Sequence, residues 1–345
     1  MNRKRTAAIA GLVAAGAIVA GKVLVRRQRT GPDSASGERF DELPPEEIAP
    51  VVSPDGTLIH LRAAGDSSAP VLVFVHGFSV DMTTWHYQWK ELSNRYRCIL
   101  YDQRGHGRSG KAAGGDHSLQ AMGRDLKAVL DAIAPEGPVV LVGHSMGAMA
   151  MLGLADIHPE EFGSRVAGAV FANTAAAEVV RGAVGALGTR LVGLAPRLTQ
   201  GFGAARRMRR FITTSDFAYL VTRLTNFGPN ASPSMVEYVL GLSMDAPLEV
   251  WTDGVAALIE MDLRHAIGHV RVPSLVVVGD LDRLTPPASG LALKDELPDG
   301  RLVVLRGAGH MAPMERHEQF NALVAGFADE AFAGAPTRVK SGGGR

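Results

Sequence analysis

The run Val139-Val140-Leu141-Val142-Gly143-His144-Ser145-Met146-Gly147 sets a serine between two glycines at Gly-x-Ser-x-Gly spacing. A β-branched apolar run precedes it and a helix-compatible run, Ala148 to Ala155, follows. A serine hydroxyl is a weak nucleophile until a base removes its proton, and a sharp strand-to-helix turn is the local structure that lifts such a side chain clear of a sheet. Small residues are needed at Gly143 and Gly147 because the turn strains the serine backbone and brings strand and helix close together. Ser145 would stand at a helix N-terminus, where the helix dipole and the Met146 amide favour a developing oxyanion. His144, inside the turn, is expected to be oriented by packing.

A serine activated in this way needs a histidine later in the chain and a carboxylate to fix the imidazole tautomer. His310 is the candidate base, in the glycine-bearing loop Arg306-Gly307-Ala308-Gly309-His310-Met311-Ala312-Pro313 just after the last strand-like run. His317 falls in a polar helical stretch and is expected to face solvent. Asp282 is the candidate acid, in Val278-Gly279-Asp280-Leu281-Asp282-Arg283-Leu284-Thr285-Pro286, with Asp280 as its competitor. The preceding strand ends in Ala172-Asn173-Thr174 and offers no acid there. A second oxyanion donor is expected from His76-Gly77-Phe78: Phe78 through its backbone amide, Gly77 by allowing close approach, and His76 as a structural hydrogen-bonding residue below the site. His106, in Asp102-Gln103-Arg104-Gly105-His106-Gly107-Arg108-Ser109, is read as fixing loop geometry.

The elements that would position these groups are short apolar runs alternating with helical stretches, the pattern of a mainly parallel sheet covered on both faces. Val51-Val52 and Thr57 to Leu61 flank the turn Pro54-Asp55-Gly56 as an opening hairpin. Val71 to Val75, Cys98 to Tyr101, Val139 to Val142 and Val166 to Phe171 follow as buried strands, and Ser274 to Val278 and Leu302 to Leu305 come late. The long helical interval between them suggests a cap over 174–269, between two parts of a core at 51–173 and 270–330. Its apolar residues, Leu191, Leu194, Phe202, Phe211, Phe217, Tyr219, Phe227, Met235, Tyr238 and Leu242, are expected mostly to build the cap's own core and in part to line a pocket. Thr30 to Pro50 is rich in Gly, Ser, Pro and acids and reads as a linker, and 331–345 as a disordered tail.

The chain of 345 residues carries 36 basic and 35 acidic residues, a formal charge of +1, which gives no general reason to expect a nucleic-acid partner. Its one cysteine, Cys98, cannot form an internal disulfide and lies in an apolar run. The N-terminal stretch 1–29 differs from the rest: a basic start, an Ala, Gly and Val-rich run, then Arg26, Arg27 and Arg29. It reads as a membrane anchor, with a cleaved signal and secretion as the alternative. With an anchor in place, the cluster Arg206-Arg207-Met208-Arg209-Arg210 would be free to approach anionic headgroups, though a solvated helix face is the favoured reading.

From about Val51 to Ala328 the chain resembles the α/β-hydrolase superfamily. His76-Gly77-Phe78, Asp102 to Gly107, Gly143 to Gly147, Gly279 to Pro286 and Gly309-His310 occur in that family's order. The resemblance implies an eight-stranded, mostly parallel sheet with helices on both faces, a helical cap after the sixth strand, and no metal or organic cofactor. It implies hydrolysis of a small-molecule ester or lipid through an acyl-enzyme, and the apolar residues of the cap point to an apolar acyl part. Haloalkane dehalogenases and epoxide hydrolases of that superfamily carry an aspartate at the elbow, so Ser145 argues against both. Perhydrolases and carbon–carbon bond hydrolases share the serine triad, and the elbow does not separate them from esterases, lipases and thioesterases. A non-catalytic binding protein on the same fold is the third reading. Oligomeric state is not legible.

Overall fold

The strand Val139–His144 shows why the sheet forms: all its residues are buried, with Val139 and Leu141 in one apolar cluster and Val140 and Val142 in another on the opposite face. A strand covered on both sides must be apolar throughout, which is why it is legible as an unbroken run. A computed structural model, describing residues 25–177 and 216–335, arranges eight strands in one sheet. They are β1 (Glu46–Val52), β2 (Leu58–Ala64), β3 (Val71–Val75), β4 (Arg97–Tyr101), β5 (Val139–His144), β6 (Val166–Ala172), β7 (Ser274–Gly279) and β8 (Gly300–Leu305). Their spatial order is β1-β2-β4-β3-β5-β6-β7-β8. β2 pairs antiparallel with β1 and β4, and every later pairing is parallel.

The same alternation recurs in β3, β6 and β7, so two apolar layers sandwich the sheet. One is closed by α2 (Leu119–Ile133) and α3 (Met146–Ile157), the other by α1 (His86–Leu92) and a long C-terminal helix, His317–Gly334. That helix includes 331–334, which the sequence reading assigned to the tail. Cys98 is buried in the second layer, and burial pushes its thiol up to about 12. β3 pairs on one side with the next strand in sequence, β4, and on the other with β5. Connections therefore leave in opposite directions on either side of the β3–β5 crevice, the place where open α/β sheets bind their ligands.

Between β6 and β7 the described residues are mainly helical and form the cap. Its helices α4 (Asp216–Asn226) and α5 (Pro233–Asp245) bury Tyr219, Phe227, Met235, Val236 and Val239 in a third cluster, together with Met311 and Met314 of the core. Phe217, expected to help build the cap, is 75% exposed.

The stretch expected to be a free linker is instead packed down. Ala35 and Phe40 are buried in the cap cluster, as is Val25 of the segment before it, and β1 begins at Glu46, inside the linker stretch. Arg29 pairs with Asp216 at 3.1 Å and Glu237 at 2.9 Å and lies over the Tyr219 ring. Asp33 accepts hydrogen bonds from Ser232 and Ser234 of the cap, while Glu38 meets His86 of α1 at 2.9 Å. This strap thus joins cap to core, and beside it a cleft of about 470 Å³ lies between Arg29, Glu38, Phe40 and α5.

The expected membrane anchoring is corrected by these contacts. Among the described residues no helix is long and apolar enough to cross a membrane. The described end of the presumed anchor, Val25–Arg29, is docked on the cap, and the charge of Arg29 is answered by acids of the protein itself. Ala and Gly, ten of the eighteen residues from Ala7 to Leu24, are only weakly apolar. Residues 1–24, 178–215 and 336–345 lie outside the described residues, and with them most of the presumed anchor, Leu191, Leu194, Phe202, Phe211, the Arg206–Arg210 cluster and most of the tail.

Candidate active site

Ser145 ends β5 with φ 52° and ψ −120°, a conformation that costs a non-glycine residue about 1–3 kcal/mol and persists only where the surroundings over-determine it. They do so here. Its amide donates to the Ala172 carbonyl at 2.9 Å, and its carbonyl accepts from the Thr174 hydroxyl at 2.9 Å. A Cβ on Gly147 would lie 2.1 Å from the Val75 carbonyl oxygen, and one on Gly143 would lie 2.6 Å from the Ala148 Cα. α3 begins immediately at Met146, so its first amides and the positive end of its dipole lie beside the serine.

The loop after β8 brings His310 to this turn. Its Nε2 is 2.9 Å from Ser145 Oγ, and its Nδ1 is 2.9 Å from Asp282 Oδ2. With Nδ1–H donating to the carboxylate, Nε2 is the acceptor for the serine proton. All three side chains are buried. Asp280, the competing acid, turns away and accepts from the Gly307 amide at 2.6 Å.

Burial opposes ionisation of Asp282. The facing His310 charge and hydrogen bonds from His310, Asn173 and the Thr285 amide outweigh it and hold the carboxyl well below the usual carboxylate range. Asn173 Nδ2 donates to Oδ2 at 2.8 Å, the Thr285 hydroxyl to the same oxygen at 2.7 Å, and the Leu284 and Thr285 amides to Oδ1 at 2.8 and 3.0 Å. Asn173 sits at the end of β6, where the sequence reading noted only that no acid was present. Its polarity in an apolar strand end was the available signal. Thr285 was likewise missed.

Three further histidines surround the site in fixed neutral forms. His76 donates from Nδ1 to the Gly77 carbonyl at 2.8 Å and accepts the Gln103 amide on Nε2 at 2.9 Å; burial pushes it down to about 4. His106 donates from Nδ1 to the Arg104 carbonyl and accepts the Ser79 amide on Nε2; burial, then neighbouring His76, push it down to about 3. His144 donates from Nε2 to the His310 carbonyl at 2.8 Å; burial, then the His310 charge, push it down to about 3. His317, expected in solvent, stacks on Tyr87 with ring centres 3.8 Å apart.

The loop carrying Phe78 passes close beside the serine: a Cβ on Gly77 would be 3.4 Å from the Ser145 Cβ. Ser79 adopts φ 57°, and the Phe78 ring meets Trp251 of the cap edge-on at 5.1 Å. The amides of Phe78 and Met146 thus belong to the two segments that flank Ser145, from the ends of β3 and β5. Among the described residues no cluster of His, Cys, Asp and Glu is suited to hold a metal ion.

Residues 70–317 match the family model described as the alpha/beta hydrolase fold. The chain is 28% identical to a pimeloyl-[acyl-carrier protein] methyl ester esterase of Aeromonas hydrophila, over 75% of this chain and 95% of that one. It is 24% identical to 3-oxoadipate enol-lactonase 1 of Acinetobacter baylyi, over 80% of this chain and 95% of that one. Among solved structures, an enol-lactonase from Burkholderia xenovorans superposes with a TM-score of 0.66 at 24% identity, covering 81% of this chain and all of that one, which speaks for the fold. With the match spanning both halves of the sheet and the cap between them, the chain belongs to the α/β-hydrolase fold family and is one of its enzymes.

Proposed function

We propose that this protein hydrolyses carboxylic esters with an apolar acyl part, with Ser145 as nucleophile, His310 as general base and Asp282 as the acid that orients it. The observation that carries the reading is the unbroken line from Ser145 Oγ to His310 to Asp282, with both links at 2.9 Å. Ser145 Oγ attacks the ester carbonyl as His310 Nε2 takes its proton. The imidazolium is stabilised by a carboxylate that its surroundings keep ionised. The Phe78 and Met146 amides receive the tetrahedral oxyanion, and His310 then protonates the leaving alcohol. Water repeats the cycle on the acyl-enzyme. Ester substrates are favoured because relatives aligned over nearly their whole length are named as a methyl ester esterase and an enol-lactonase. The cap over residues 174–269 would choose the acyl group.

A panel of p-nitrophenyl esters from acetate to long acyl chains, on the full chain, tests this. Ser145→Ala should lose at least about a thousandfold in kcat/KM. Turnover of no ester, or turnover surviving in that variant, would sink the proposal.

A further inference from the structure

Four hydrogen bonds fix the peptide units around His310. Two come from the core: Asn173 Nδ2 donates to the Gly309 carbonyl at 3.2 Å, and His144 donates to the His310 carbonyl at 2.8 Å. The third runs to the cap directly, the Met311 amide donating to the Asn226 carbonyl at the end of α4 at 2.9 Å. The fourth reaches the cap through one carboxylate. Glu315, closing the short helix α6 (Ala312–Glu315), takes the Gly309 amide on Oε1 and the Gly228 amide of the cap on Oε2, each at 2.7 Å. The two loops it joins are in backbone contact: a Cβ on Gly309 would lie 2.5 Å from the Phe227 carbonyl carbon, and one on Gly228 would lie 2.4 Å from the Gly307 carbonyl oxygen.

From this geometry we infer that Glu315 is a positioning residue that locks the loop after α4 to the histidine loop, making cap seating and correct aim of His310 a single state. The inference rests on the triad reading above. A carboxylate is suited to the task because both its oxygens accept, one for each loop. An amide of the same shape has one acceptor and one donor, so it must abandon either the cap or the histidine loop and leave a buried N–H without a partner. Burial pushes the Glu315 carboxyl up to about 7, with the two amides, Arg316 and Arg223 pulling the other way. The charged groups around it are Arg223, which donates to the Gly228 carbonyl at 3.1 Å, Arg316, which donates to the Gly307 carbonyl at 3.0 Å, and Arg283, which donates to the Leu224 carbonyl at 2.6 Å. These three are permanent cations; the other titratable groups against this loop are His310 itself, Asp282, which His310 faces, and Asp280, which accepts the Gly307 amide at 2.6 Å. A protonated Glu315 loses one acceptor, as the amide does.

The test compares wild type, Glu315→Gln and Ser145→Ala as full chains. It reads p-nitrophenyl butyrate turnover from pH 5 to 9 and the rate at which a fluorophosphonate labels Ser145. Glu315→Gln should lower kcat/KM and the labelling rate together by about 10- to 100-fold, the scale of a small misplacement of a reacting group. Its acid limb should also become shallower, because the protonation of Glu315 that slows the wild type is gone. A merely structural role would leave the slope of that limb unchanged. A Glu315→Gln protein that labels at the wild-type rate with the wild-type profile, beside an inert Ser145→Ala, would overturn the inference and leave the triad standing. A wild type that neither labels nor turns over would bring down both. Should Glu315→Gln not fold, Arg223→Met loosens the same cap loop without touching the triad. It removes the hydrogen bonds that Arg223 donates to the Gly228 and Pro229 carbonyls and should slow labelling about 2- to 5-fold, and an unchanged rate would overturn the inference.

Discussion

The turn carrying Ser145 and the loop carrying His310 meet at 2.9 Å but are held in different ways. The serine turn is fixed from within its own strand and helix and by strands bonded directly to it: glycines pressed on backbone, and an amide and a carbonyl tied to residues 172 and 174. The histidine loop also has glycines pressed on backbone, Gly309 on Phe227 of the cap and Gly279 on the Gly309 carbonyl, but it depends in addition on hydrogen bonds from separate elements: from Asn173 just after β6, from His144, and to the cap through Asn226 and Glu315. Steric fixing is rigid and fails all at once, whereas a set of separate hydrogen bonds can be weakened one at a time. The nucleophile is thus part of the fold's stability, and the base is open to adjustment.

The strongest way to break that contrast is Gly147→Val. Its Cβ would sit 2.1 Å from the Val75 carbonyl oxygen, so the fold should lose at least about 3 kcal/mol, read as a fall in the urea midpoint. A variant of near wild-type stability would show that the turn is not sterically fixed. Asn173→Gly is the complementary change on the histidine side. It removes the hydrogen bonds to Asp282 and the Gly309 carbonyl while accepting the left-handed φ of 47° without strain. Stability should fall by less than for Gly147→Val, about 1–2 kcal/mol for the buried acceptors left short of a donor, while kcat/KM falls about tenfold, the scale of a hydrogen bond to a charged group. The smallest effect is expected from His106→Gln. The fold holds His106 neutral down to about pH 3, so its contribution is complete above the ordinary histidine value and declines as pH falls from about 6.5. His76 and His144 act in the same direction, and Asp102 and Glu315, both pushed up to about 7 by burial, oppose it. Removing one histidine should therefore make stability fall less steeply with acid between pH 6.5 and 4.5, measured as urea midpoints.

The strand runs and the positions of Ser145 and Asp282 just beyond β5 and β7 were legible because both strands are buried on both faces and announce themselves as apolar runs. His310 was legible from the glycine-bearing loop that follows β8, an edge strand that is apolar in sequence though only partly buried. The start of β1 was not, since Glu46–Val52 is an edge strand with mostly exposed residues that follows two prolines. Nor was the strap. Its anchors are single residues, Val25, Arg29, Asp33, Phe40, spaced without period in a polar stretch, and their partners lie on α1, α4 and α5 or beside α5. Pairings between residues about two hundred positions apart leave no local trace. Asn173 and Glu315 escaped because their partners are not marked in sequence: the polarity of Asn173 at the strand end does not point to Asp282, 109 positions on, and Glu315 shows its role only once the fold brings Gly228, 87 positions before it, to its second oxygen.

The docking of the strap also decides how the molecule bears load. Residues 25–40 cross from the cap helices to α1 before the chain enters the sheet at β1. Tension applied at residue 25 would first meet the buried Val25 side chain and the ion pairs of Arg29 with Asp216 and Glu237, then the Asp33, Glu38 and Phe40 contacts, and only after them the strand ladders. Peeling would therefore begin at the cap, and a cargo fused ahead of Val25 would tug on the lid of the active site while leaving the sheet beneath it undisturbed.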